Sequence, residues 1–183
     1  MFNYIAAAVL AGAAITAASG LQAATVDGLQ LSAEYLFPDT DTVYPNATAT
    51  GPFTVGAGLD ATISVEDVTD ILLDFGGSAL TLTFSTTLLS PTWLNHPFNG
   101  VKVSMLSDAW FTGFSQIGGS INAAGTSFDG SNLFINLANV SYVNGSTMTF
   151  DVAVAPVPLP AGLPLLAAGI AGFAVLRRRQ RTA

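Results

Sequence analysis

The sequence predicts an all-β fold: an antiparallel β-sandwich of jelly-roll-like type, flanked by an N-terminal signal helix and a C-terminal transmembrane helix. Three observations predict it. Apolar and polar residues alternate with a period of two through the middle of the chain. Pairs such as Asp-Gly and Asn-Gly recur between those runs, where tight turns need residues tolerant of positive φ. The densest apolar stretches lie at the two ends, with 18 apolar residues among 1–24 and 14 among 157–176.

The alternation defines the strands in order. Leu29, Leu31, Ala33, Tyr35 and Phe37 share one face, with Gln30, Ser32, Glu34 and Leu36 on the other. Residues 38–58 are rich in Thr, Gly and Pro and read as a long loop. Ile63 and Val65 alternate with Thr62, Ser64 and Glu66. The segment 65–75 is the one place where a helix competes, and a pair of short strands fits it better. Leu80, Leu82 and Phe84 then alternate with Thr81, Thr83 and Ser85. Val101, Val103 and Met105 oppose Lys102 and Ser104, while Leu133, Ile135 and Leu137 form a further apolar face. Met148, Phe150, Val152 and Val154 form the last, opposite Thr149 and Asp151. Turns are expected at Asp27-Gly28, Gly76-Gly77, Asn99-Gly100, Gly118-Gly119, Asp129-Gly130 and Asn144-Gly145. Eight to ten short strands in residues 25–155 suit two packed sheets.

Composition excludes several function classes. The 183 residues amount to one domain's worth of chain. Residues 25–155 set one lysine, Lys102, against twelve carboxylates, a formal charge of −11. Nucleic acid is therefore not an expected partner, because phosphates require a basic surface. Cysteine is absent, so neither disulfides nor thiolate chemistry can operate. Serine hydrolysis needs a general base, and the lone His96 sits in a polar stretch between Asn95 and Pro97 with no Gly-x-Ser-x-Gly elbow in the chain. Glycoside hydrolysis needs two carboxylates flanking a sugar. The densest acidic group, Glu66, Asp67, Asp70 and Asp74, reads instead as a solvated face. No enzymatic activity and no cofactor are expected. The alternative for the acidic residues is calcium, a hard cation that collects oxygens. Asp39 and Asp41 would supply two, and Glu66, Asp67 and Asp70 others, although no EF-hand pattern is present. Trp93, Trp110, Phe111 and Phe114 lie in or near apparent loops. They are read as plugs at the ends of the core, the alternative being a platform for sugar rings.

The two ends carry addresses. Residues 1–24 combine a short Ala-rich apolar run with small residues before Ala23 and Ala24, the pattern of a signal peptide cleaved after one of them. At the other end, Pro156, Pro158 and Pro160 at alternate positions favour an extended segment. Ala161 to Leu176 would make roughly 24 Å of helix at about 1.5 Å per residue. This is short against a hydrocarbon core of about 30 Å, a gap that snorkelling and local thinning can close. Arg177, Arg178, Arg179 and Arg181 then form a stop-transfer cluster held on the cytoplasmic side.

A Pro-rich motif, a short apolar helix and a terminal arginine cluster, in that order, resemble the PEP-CTERM class of protein-sorting tails. Val157, Pro158, Leu159, Pro160, Ala161 and Gly162 resemble its VPLPA-CTERM variant, and the resemblance covers residues 156–181. It implies export after cleavage by signal peptidase. It also implies transient anchoring in the inner membrane of a Gram-negative cell, with the domain outside and the C-terminus cytoplasmic, and processing near the motif by an exosortase-type membrane protease. The product would reside at the cell surface or in the extracellular matrix, with exopolysaccharide as a partner. The motif residues are, on this resemblance, substrate for the protease and not catalytic. The chain thus divides into 1–24 (signal peptide), 25–155 (exported β domain) and 156–183 (sorting tail). Its expected role is that of a non-enzymatic surface protein, the alternative being a carbohydrate-binding module of the same architecture.

Overall fold

The computed structural model describes residues 25–155, and every regular element among them is a β-strand. Eleven strands follow in chain order: β1 (Gln30–Leu36), β2 (Ala47–Ala49), β3 (Phe53–Thr54), β4 (Ala61–Val65), β5 (Thr69–Gly76), β6 (Ala79–Thr86), β7 (Gly100–Met105), β8 (Phe111–Gly119), β9 (Gly125–Phe128), β10 (Asn132–Asn136) and β11 (Thr147–Val154). They form two antiparallel sheets. One has five strands in the order β3-β1-β7-β10-β9, the other six in the order β2-β4-β5-β6-β11-β8. The expected signal helix (1–24) and transmembrane helix (161–176) lie outside the described residues. No helix among those described is long and apolar enough to cross a membrane.

The period-two pattern does the sorting. Leu31, Ala33 and Tyr35 of β1, Ile71, Leu73 and Phe75 of β5, Leu80, Leu82 and Phe84 of β6, and Met148, Phe150 and Val152 of β11 are buried, while the residues between them are exposed or partly covered. Together with Val101, Val103, Leu133 and Ile135 they form one buried cluster drawn from both sheets. Each large apolar side chain taken fully out of water contributes roughly 1.5–3 kcal/mol. This apolar burial, without crosslinks, holds the fold. On the outer face Lys102 Nζ lies 3.3 Å from Glu34 Oε2 across the β1–β7 pairing, a partly exposed ion pair worth about 0–1 kcal/mol.

The segment 65–75 is strand, turn, strand. Glu66 and Asp67 sit at φ of 55° and 54°, the left-handed conformation that matches the twist of a hairpin. Gly77 (φ 62°) and Gly130 (φ 87°) turn the β5–β6 and β9–β10 hairpins as expected. Two expected turns are corrected. Gly100 is the first residue of β7, and a Cβ there would overlap the Ile135 carbonyl of the neighbouring strand, so its glycine serves close approach. Gly118 and Gly119 end β8 against β11 instead of reversing the chain. Leu36, expected on the polar face, is buried. β1 ends there and the chain folds back, through Phe37 N–H to Thr42 O and a bridge to Val43, so both sides of the strand end are covered. The long loop expected at 38–58 contains β2 and β3, two very short edge strands.

The chain enters and leaves the domain at one end. Val26 N–H donates to Gly77 O (2.9 Å), Asp27 Oδ1 accepts from Gly77 N–H (3.1 Å), and Val152 N–H donates to Ser78 O (2.7 Å). Both ends are therefore stapled to the β5–β6 turn.

Candidate functional site

At the far end of β5 the structure forms an aromatic cleft of about 210 Å³. Tyr35 reaches it from the inward face of β1, just before that strand ends. Tyr44 follows on the return segment, its amide bonded to the Tyr35 carbonyl at 2.9 Å. Trp93 and Tyr142 come from two irregular segments laced together: Trp93 N–H to Val140 O (3.0 Å), Tyr142 N–H to Pro91 O (3.0 Å) and a bridge between Thr92 and Ser141. The β4–β5 turn supplies Glu66. The Trp93 and Tyr142 rings stack at 4.9 Å and 12°, Tyr35 lies 5.4 Å from Trp93, and Tyr44 lies 6.1 Å from Tyr35. These separations are those of favourable aromatic pairs. Leu88, Leu94 and Val68 line the same cleft and are exposed, so it opens to solvent at that rim.

The polar groups of the cleft are bonded to one another. Tyr35 Oη donates to Asn99 Oδ1 (2.5 Å), and Asn99 Nδ2 donates to Leu94 O (2.9 Å). Thr69 Oγ1 donates to Thr86 Oγ1 (2.9 Å) and accepts from Tyr142 Oη (2.8 Å). Thr92 and Ser141 pair their hydroxyls at 2.7 Å. Tyr44 Oη donates to Glu66 Oε1, which also accepts from Asn46 Nδ2 (3.2 Å). These bonds, Tyr44's first and then Asn46's, hold the Glu66 carboxyl below its ordinary value, and the same carboxylate pushes the Tyr44 phenol up. Burial raises the Tyr35 and Tyr142 phenols, so both stay protonated. The Trp93 indole N–H is buried with no partner among the described residues, an omission that costs about 1–3 kcal/mol.

The residues singled out from sequence scatter over the domain. Phe111 is not in a loop; it is buried at the start of β8, and Phe114 in the same strand stacks on Phe150 at 5.1 Å. Both belong to the core. Trp110 is 62% exposed, beside Gly130, and does not line the cleft. His96 is exposed, edge-on to Phe37 at 4.6 Å. Of the four aromatic candidates only Trp93 lines the cleft. The calcium candidates are not assembled. Asp39 Oδ1 caps its own turn, accepting from Asp41 N–H (3.0 Å) and Thr42 N–H (2.9 Å), and the Thr42 side chain first, then these amides, hold its carboxyl below the usual range. Glu66 and Asp67 occupy the β4–β5 turn, and Asp70 lies within β5 between Ser64 and Ser85. Among the described residues no three His, Asp or Glu side chains gather as a metal ion would need. The sorting motif (Val157, Pro158, Leu159, Pro160, Ala161, Gly162) and the arginine cluster (Arg177, Arg178, Arg179, Arg181) lie outside the described residues. Sequence reasoning missed Tyr44, Tyr142 and Asn99, which stand in irregular segments with no periodicity to mark them.

Comparison of the chain with protein-family models, with curated proteins and with solved structures finds no match.

Proposed function

We propose that this chain is an exported, non-enzymatic protein of the cell surface or extracellular matrix. Residues 1–24 direct export, residues 156–183 hold the protein in the inner membrane, and an exosortase-type protease then processes it near Val157–Gly162. The two sheets are read as the faces of a sandwich of jelly-roll-like type, the single buried cluster drawn from both being the support for that reading. The sequences of the two ends carry this reading, and the placement of the domain's ends supports it. The domain's two ends meet at the β5–β6 turn, while Thr69 at the other end of β5 lines the aromatic cleft. Seven residue steps at about 3.3 Å put roughly 23 Å between them. A domain tethered through residue 155 thus presents its cleft away from the membrane.

Mass spectrometry of the mature protein's two ends is the test. Termini near Ala24 and within 157–162 are expected. Recovery of the uncut 183-residue chain from the cytosol would overturn the reading. Surface delivery unchanged by deletion of residues 156–183 would overturn the tail's part in it.

A second reading, a carbohydrate-binding module, draws on the cleft itself: Trp93 and Tyr44, partly exposed above the buried Tyr35 and Tyr142, line an opening of the kind on which sugar rings stack. A glycan array, with binding abolished by Trp93→Ala, would establish it.

A further inference from the structure

We propose that the aromatic cleft binds a small organic cation of the quaternary ammonium class, recognised by its aromatic faces and by the Glu66 carboxylate. The inference rests on reading this cleft as a ligand site, and it assigns the ligand's chemistry.

Hydrogen-bond capacity decides between ligands. A pyranose presents several hydroxyls, and a site that selects it must offer free donors and acceptors, because buried polar groups left unpaired are costly. Most of the polar groups in this cleft are already engaged, and the unpaired Trp93 N–H has no surface open to a ligand. The hydroxyls of Tyr35, Tyr44 and Tyr142 are bonded to Asn99, Glu66 and Thr69, both ends of the Asn99 amide are engaged, Thr92 is paired with Ser141, and the Trp93 N–H is buried. Tyr35 and Tyr142 are buried, so what remains for a ligand is the partly exposed ring surface of Trp93 and Tyr44 and a carboxylate whose Oε2 has no hydrogen-bond partner among the described residues. A quaternary ammonium asks for nothing else: it has no N–H to satisfy and is drawn to the negative faces of Trp and Tyr rings.

Charge and size agree. Among the described residues Glu66 is the only charged side chain lining the cleft, and it sits in a domain of formal charge −11, whose field concentrates cations at its surface. The volume of about 210 Å³ falls below the roughly 300 Å³ at which pockets begin to accept drug-sized molecules, so the occupant is a single headgroup and not an extended chain.

The test uses the mature protein carrying Trp110→Phe, so that Trp93 is the sole indole fluorophore. Tetramethylammonium and choline chlorides are titrated against sodium chloride at constant ionic strength, with methyl glucoside in a parallel arm. Saturable change in Trp93 emission with Kd of about 1 mM or tighter is expected for the cations. Glu66→Gln, an exposed substitution that leaves the rings in place, is expected to weaken it about tenfold, and Trp93→Leu, followed by isothermal titration calorimetry because it removes the fluorophore, to abolish it. Co-sedimentation with phosphatidylcholine but not phosphatidylglycerol vesicles would identify a lipid headgroup as the source; choline binding without it would identify the free cation. Binding of the glucoside alone would overturn this inference and leave the carbohydrate reading standing. Binding of neither would overturn both. Cation affinity unaltered in Glu66→Gln would overturn the assignment of the site.

Discussion

Single residues in this protein act through what they leave room for and what they occupy. Gly100 stands against the Ile135 carbonyl, so Gly100→Ala must push β7 from β10, and a loss of about 1–3 kcal/mol in chemical denaturation is expected. The pair Tyr44–Glu66 is a second case. The Glu66 carboxyl is held below its ordinary 4.5 and the Tyr44 phenol above its ordinary 10.0 by the same hydrogen bond. A depressed acid stabilises the fold above its unfolded value and ceases to do so as pH falls through the folded one. A raised phenol stabilises below its unfolded value and ceases to do so as pH climbs through the folded one. The bond's contribution therefore spans the range from about 4.5 to 10.0. In Tyr44→Phe the Glu66 titration should move up toward 4.5, read by NMR of its side-chain carboxyl, and the stability gap to wild type should close in acid.

At the scale of elements, the hairpins rest on short-range chemistry. Asp129 Oδ1 accepts from the amides of Ser131 (3.0 Å) and Asn132 (2.8 Å), and its carboxylate also holds the Asn132 side chain. Asp129→Ala should cost roughly 1 kcal/mol of stability and raise amide exchange at 125–136, seen by hydrogen–deuterium exchange. This hairpin was legible in the sequence because Asp-Gly specifies a turn through the left-handed φ at Gly130. The strands around Leu31, Phe84 and Phe150 were legible because each has one wet and one dry face. β8 was not: Phe111 and Phe114 enter the core, but Gly113, Gln116 and Ile117 break the alternation, and β8 forms an edge with register shifts opposite Thr149/Phe150 and Ala153/Val154. Such bulges twist an edge away from pairing with other chains. β2 and β3 escaped for a different reason: two or three residues give no period to read. The cleft was hardest, because Tyr44, Trp93 and Tyr142 are brought together by backbone bonds between irregular segments that no local pattern encodes.

Across the whole molecule, long-range pairing decides the order of events. β11 lies between β6 and β8, so the six-stranded sheet has a gap until the last described strand arrives. A chain ending at residue 146 should show no cooperative thermal transition by circular dichroism, because Met148, Phe150 and Val152 would be missing from the buried cluster. The placement of β11 also has a mechanical meaning. Any pull transmitted through residue 155 runs lengthwise along β11, whose backbone is bonded on both flanks, to β6 and to β8. Many of those bonds must then slide together and cannot open one by one. A pull at that point would load β11 in shear along both of its neighbours.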